Sequence, residues 1–168
     1  MSVDIAVIHI GILALAAFSL IWGAVNDAAK FRIPNSATIA LLILFPAYVF
    51  TAPENIEWEQ NLFSFVILLA VGFFMFSRNL AGAGDVKLLA AAGLWAGVES
   101  LAVLLFITAL AGGLLGLVMA GLAWNRNRSL PPSQTVSLRK VPIPYGVAIA
   151  IGGLASLLQL SHSVLFSS

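Results

Sequence analysis

Two aspartates, Asp27 and Asp85, are the residues of this sequence whose type and placement could do chemistry. Each lies at the boundary of a long apolar run. Charged groups at membrane depth are costly and are usually functional. Two carboxyls held close together share one proton, so one of them takes a proton from water while the other polarises a carbonyl group. The pair therefore predicts hydrolysis of a peptide bond by an aspartyl mechanism, which needs no metal and no organic cofactor.

The residues before Asp85 fit such a site. Gly82 and Gly84 flank Ala83, and glycine permits a positive φ and the close approach of another chain. We expect these glycines to turn the chain into a helix and to admit an extended substrate. The start of a helix stabilises an anion and its end does not, so we expect Asp85 to be the ionised partner more often than Asp27.

The composition predicts an integral membrane protein. Of the 168 residues, 61% are hydrophobic and 9% are charged, whereas soluble domains carry about 25% charged residues. The apolar runs are continuous and do not alternate with polar residues, which favours helices over barrel strands. The chain has no cysteine and only two distant histidines, His9 and His162, so we expect no disulfide, no thiolate chemistry and no metal site.

Six apolar runs predict an all-α bundle of six transmembrane helices in a single domain, residues 1–168. The predicted spans are residues 5–25, 37–51, 62–76, 86–98, 101–124 and 145–160. A full span needs about 20 residues, so the second, third and fourth are short. The fourth is also weakly hydrophobic and should pack best against other helices.

The charges sort by sign between the predicted spans. If the spans alternate, all eight Lys and Arg residues fall in the first, third and fifth connections. The positive-inside rule makes that side cytoplasmic and puts the amino and carboxyl termini outside. Most acidic residues, Glu54 and Glu99 among them, fall on the other side. We expect Glu99 to mark a tight turn between the fourth and fifth spans, and residues 125–141 to form a long loop.

Three motifs in order resemble those of the type IV prepilin peptidases, a family of the Gly-x-Gly-Asp (GxGD) type. Asp27, followed by Ile33-Pro34-Asn35, resembles the first active-site motif. Gly82-Ala83-Gly84-Asp85, which continues into Val86-Lys87, is similar to the second motif. Pro144-Tyr145-Gly146 in the last helix is similar to the third.

The resemblance implies a membrane endopeptidase that removes the short basic leader of prepilins or pseudopilins at the cytoplasmic face of the inner membrane. It implies catalysis by Asp27 and Asp85 without a cofactor, with prepilin and membrane lipid as partners and no nucleic acid. The residues expected to support the site are Gly82, Gly84, Lys87, Pro34, Asn35, Pro144, Tyr145 and Gly146. Larger members also have a cysteine-rich amino-terminal extension and methylate the new amino terminus. This sequence lacks that extension and resembles the compact peptidases of tight-adherence (Flp) pilus systems.

Other functions remain open on the sequence alone. Presenilin-like and signal-peptide-peptidase-like proteases share the GxGD motif, but they have more helices and a Tyr-Asp first motif, whereas Val25-Asn26 precede Asp27 here. A small transporter could use two membrane aspartates as a proton relay, although its carboxyls would lie nearer the bilayer midplane. A non-enzymatic assembly protein would tolerate replacement of either aspartate.

Overall fold

The chain folds into helices, and its computed structural model describes residues 3–52, 56–129 and 141–166. Within these ranges no strand is present, so the predicted all-α class is confirmed. The helices are α1 (Val3–Lys30), α2 (Asn35–Thr51), α3 (Trp58–Ser77), α4 (Ala83–Arg128) and α5 (Tyr145–Phe166).

The exterior of the bundle is apolar. Within the described part of the chain, three segments are long and apolar enough to cross a membrane, namely Val7–Lys30, Trp58–Ser77 and Ala83–Arg128, while α2 and α5 are shorter apolar helices. Large apolar side chains such as Phe50 and Leu117 are 88% and 74% exposed. Lipid solvates such a surface and water does not. The structure is therefore that of a membrane helix bundle, and the number of crossings stays a prediction.

Helix α4 is broken at Gly97 into two helical segments, residues 83–96 and 98–128. Gly97 has φ 62° and ψ −174°, a backbone conformation that is essentially restricted to glycine. Both segments lie along the same turn of α5, because Gly152 packs against Leu104 and the adjacent Gly153 packs against Ala92. The chain therefore reverses at Gly97, two residues before the turn expected at Glu99.

Side chains from neighbouring helices satisfy the backbone around this break. The Asn61 amide donates to the Leu94 carbonyl at 2.8 Å, a carbonyl that the break deprives of its helical partner. The Trp95 indole donates to the Leu41 carbonyl at 3.0 Å, and its ring lies 5.1 Å from that of Tyr48. These contacts fix the first segment of α4 against α2 and α3.

The first segment of α4 packs closely against other helices through its small buried residues. Ala90 and Ala91 are fully buried, and Gly93 lies against Leu68 of α3. A small side chain lets two helix backbones approach closely. The expectation that this weakly hydrophobic stretch packs against other helices is confirmed.

Two helices run further than the hydropathy indicated. Helix α1 continues to Lys30, so residues 26–30 are helical, and α4 continues to Arg128, so residues 125–128 of the predicted long loop are helical as well. Polar residues such as Asn, Lys and Arg are compatible with helical backbone hydrogen bonds outside an apolar environment. Residues 130–140 of that loop, and Glu54 in the second connection, lie outside the described residues.

Candidate active site

Asp27 lies in the last turn of α1 and is 5% exposed. The backbone N–H of Gly146 donates to its Oδ2 atom, with 2.7 Å between nitrogen and oxygen. Gly146 is the second residue of α5, and the first N–H groups of a helix have no partner within that helix. The start of α5 therefore holds the Asp27 carboxyl.

Asp85 is the third residue of α4 and is half-buried. The backbone N–H of Gly82, the residue that caps α4, donates to its carboxyl. This is one half of a capping box, in which the third helical residue reaches back to the capping residue. Asp85 therefore closes the amino-terminal end of its own helix.

Both carboxyls thus accept a backbone N–H from a glycine at the start of a helix. The expectation that Asp85 is ionised more often than Asp27 stays a prediction, because Asp27 also meets the start of a helix, α5. The end of α1 would disfavour an anion at Asp27, and the start of a neighbouring helix offsets that effect.

The structure brings the two carboxyls together at one end of the bundle. Asp27 and Asp85 interact electrostatically. Ile33 lies between their helices: a Cβ placed on Gly84 would be 3.2 Å from Ile33, and one placed on Gly146 would be 2.9 Å from it. The segment between α1 and α2 therefore joins the starts of α4 and α5 beside the carboxyl pair.

Gly82 and Gly146 leave room for the carboxyls that they bind. A Cβ on Gly82 would lie 2.7 Å from Oδ2 of Asp85, and one on Gly146 would lie 2.9 Å from Oδ2 of Asp27. Neither glycine has a positive φ, since Gly97 is the one described glycine that does. The expected use of positive φ before Asp85 is therefore wrong, and close approach is the property that the site uses.

The prolines and Tyr145 set the starts of two helices. Pro34 caps α2 with φ −70° and ψ 136°. The buried Pro144 precedes α5, and its carbonyl accepts the N–H of Val147 at 3.2 Å. The Tyr145 ring covers Gly112 of α4, where an added Cβ would be 2.7 Å from the ring. Tyr145 thus packs the start of α5 against α4.

Lys87 and Asn35 are two further residues that were expected to support the site. Both line a cavity between α2, α3 and α4. Two positions along a helix correspond to a rotation of about 200°, so Lys87 and Asp85 leave α4 on opposite sides. The set of supporting residues that we expected from the motifs therefore divides between two places.

Sequence reasoning missed two residues that shape the site. Gly112 receives Tyr145, and Ile33 spaces the starts of α4 and α5. Ile33 is inside the first motif, so its position was a usable signal. Gly112 belongs to a stretch rich in small residues, which indicates helix packing without identifying the partner.

No grouping among the described residues suits a metal ion, since no three His, Asp or Glu side chains come together there. His9 is on α1, far along the chain from Asp27, and its Nδ1 atom is 3.2 Å from the Thr51 hydroxyl. Two carboxyl groups can transfer protons to and from a water molecule and a carbonyl group.

Comparison with known proteins identifies a family. The model of the type IV leader peptidase family matches residues 14–117, a range that includes both aspartates. Two curated relatives, from Aeromonas salmonicida strain A449 and from Aeromonas salmonicida, are each named prepilin leader peptidase/N-methyltransferase. Each is 29% identical over 154 residues, which is 86% of this chain and 49% of the relative.

The chain spans about half the length of these curated relatives. No solved structure gives a significant match. The family model covers more than half of the chain and includes α2, α3 and the start of α4 in full. On this evidence, the chain belongs to the type IV leader peptidase family.

Proposed function

We propose that this protein is an aspartyl endopeptidase that removes the basic leader of prepilins or pseudopilins, with Asp27 and Asp85 as its catalytic residues. The observation that carries the proposal is the placement of these two carboxyls within electrostatic range of each other at one end of the bundle, each held by a glycine N–H. Family membership supports the leader peptidase activity. The relatives' names also include N-methyltransferase, and we do not extend that activity to this chain.

The mechanism uses the carboxyl pair with one shared proton. One carboxylate removes a proton from a water molecule, and the oxygen of that water attacks the scissile carbonyl carbon. The other aspartate, protonated, donates to the carbonyl oxygen as the tetrahedral intermediate forms. Return of a proton to the amide nitrogen breaks the C–N bond and releases the leader. The N–H groups of Gly82 and Gly146 orient the two carboxyls during these transfers.

The proposed site of cleavage is the cytoplasmic face of the inner membrane, with both termini outside and six crossings. The charge pattern supports this orientation. Lys30, Arg32 and Arg78 lie in or beside the same connections as the two aspartates, and basic residues near helix ends favour the cytoplasmic side. A leader in the cytoplasm then presents its junction with the apolar stem to the carboxyl pair. The substrate class that we propose is a tight-adherence (Flp) prepilin.

The test is cleavage of a prepilin from the same genome, co-expressed in membranes with the native protein, Asp27→Asn or Asp85→Asn. Asparagine keeps the size and polarity of aspartate and removes the proton that the pair shares. Glu99→Gln is the matched control, because it makes the same change at an exposed acidic residue beyond the break in α4. Membrane levels of all variants are compared by immunoblot.

We expect each aspartate variant to lose cleavage by at least about a thousandfold, as when a member of a catalytic unit is removed, and Glu99→Gln to retain it. Near-native processing by either variant would mean that this aspartate is structural. A proton-relay transporter or an assembly protein would then be the better explanation. Cleavage of unrelated transmembrane segments, but not of prepilin, would instead favour a broader intramembrane protease.

A further inference from the structure

A second site lies on the far side of α4 from the carboxyl pair. It is an open cavity of about 290 Å³ between α2, α3 and α4. Its lining consists of three polar and four apolar residues: Asn35, Thr38, Lys87, Ile39, Leu42, Phe65 and Leu69. The proposed peptidase mechanism uses none of them.

The polar and apolar linings of this cavity are at different depths. Asn35 begins α2 and Lys87 is near the start of α4, so their polar groups lie at the same end of the bundle as the carboxyl pair. Gly72 of α3 packs on Val86, which places Leu69 one turn deeper than Lys87. The cavity therefore changes from polar to apolar with increasing depth.

The polar groups in this cavity are available to a ligand. Among the described residues, neither the Lys87 ammonium group nor the Thr38 hydroxyl has a charged or hydrogen-bonding partner. Thr38 is only 7% exposed, and it lines the cavity. A ligand with oxygen acceptors would satisfy both groups.

The cavity opens towards the lipid. Ile39 and Leu69 on its rim are 52% and 37% exposed, and both belong to helices with an apolar exterior. A molecule can therefore enter sideways from the bilayer with its polar end near Lys87.

We propose that this cavity binds one anionic phospholipid. Its phosphate oxygens accept hydrogen bonds from Lys87 and Asn35, and the Thr38 hydroxyl donates to the ester region beneath the headgroup. One acyl chain lies between Ile39 and Leu69. Lysine is an established phosphate ligand, and a basic pocket between membrane helices on the cytoplasmic side suits an anionic headgroup.

The experiment is native mass spectrometry of the full chain purified in detergent and stripped of lipid. Phosphatidylglycerol or phosphatidylcholine with identical acyl chains is added, and the fraction of protein that carries one lipid is measured. The variant is Lys87→Gln. The matched control is Arg78→Gln, which removes a cation that ends α3 and stacks on Phe74 at 4.8 Å, outside the cavity. Thr38→Val provides a second, nearly isosteric change inside the cavity.

We expect the native chain and Arg78→Gln to bind one phosphatidylglycerol in preference to phosphatidylcholine. Lys87→Gln should weaken phosphatidylglycerol binding about fivefold and abolish the preference, and Thr38→Val should weaken it by a smaller factor. Equal binding of both lipids by the native chain overturns the proposal, as does unchanged phosphatidylglycerol binding in Lys87→Gln. Displacement of the bound lipid by a prepilin stem peptide would identify the cavity as a substrate site instead. The result is independent of whether Asp27 and Asp85 cleave prepilin.

Discussion

The backbone nitrogen of Gly146 lies 2.7 Å from Oδ2 of Asp27, although the two residues are 119 positions apart in the chain. This hydrogen bond joins the end of α1 to the start of α5. It gives the carboxyl a fixed direction and a positive helix end as its neighbour. The corresponding contact at Asp85 is local, because Gly82 is only three residues away.

The first prediction concerns the glycine that binds Asp27. In Gly146→Ala the new Cβ would lie 2.9 Å from Oδ2 of Asp27 and 2.9 Å from Ile33, so the carboxyl or α5 must move. A hydrogen bond to a charged group contributes about 1.5–3 kcal/mol, so we expect prepilin cleavage to fall about 10- to 100-fold. Gly121→Ala is the control, since an added Cβ there meets nothing within 4 Å. Equal cleavage by both variants would remove Gly146 from the site.

A second prediction uses two adjacent glycines of α4. Gly112→Leu forces the Tyr145 ring away, because even a Cβ at this position would be 2.7 Å from it, whereas Gly113 has nothing within 4 Å. Tyr145 precedes Gly146, so the displacement carries the N–H away from Asp27. We expect Gly112→Leu to lower cleavage at least about tenfold and Gly113→Leu to leave it within about twofold, as measured by leader removal at equal membrane levels. Similar rates in the two variants would show that Tyr145 does not position α5.

The third prediction concerns the break in α4. Any L-residue at Gly97 must adopt φ 62° and ψ −174°, and such strain costs about 1–3 kcal/mol. We expect Gly97→Ala to lower the free energy of unfolding by that amount, measured by denaturation with sodium dodecyl sulfate in mixed micelles. Gly121→Ala serves as the helical control and should be neutral or slightly stabilising. If Gly97→Ala is as stable as this control, the reversal does not depend on glycine.

The fourth prediction concerns the carbonyl that the break exposes. Asn61→Leu leaves the buried Leu94 carbonyl without its 2.8 Å partner, which we expect to cost about 1–3 kcal/mol of unfolding free energy. Asn26→Leu makes the same change at an exposed amide, which bonds to the Trp22 carbonyl of its own helix, and should cost less than about 1 kcal/mol. The same micelle titration measures both variants. A loss in Asn26→Leu as large as in Asn61→Leu would contradict the assigned role.

Hydropathy and the two local motifs were enough to predict helices, a membrane environment and an association of Asp27 with Asp85. The first two features depend on residues that are near one another in sequence, whereas the association of the two aspartates was expected because the charge pattern placed both on one side of the membrane. The Gly146 contact could not be predicted in the same way, because it needs the packing of α1 on α5. Nothing in the sequence identifies which N–H an aspartate will accept across more than a hundred residues.

Other differences between expectation and structure have simple physical causes. Two positions along a helix correspond to a rotation of about 200°, so the sequence alone could have predicted that Lys87 and Asp85 lie on opposite sides of their helix. The extra turn of α1 up to Lys30 was missed because hydropathy marks where lipid contact ends and not where helical hydrogen bonds end. The break at Gly97 could not be predicted, because a single glycine within an apolar run is compatible with a continuous helix.

The burial of residues 90–97 has a consequence for how the protein is made. This stretch is buried among other helices, so contact with lipid contributes little to the free energy of its insertion into the membrane. Its partners on α2 and α3 are synthesised before it, and its partner on α5 is synthesised after it. The first segment of α4 must therefore enter the membrane together with helices that are already in place, and it becomes fully enclosed only when the last helix arrives.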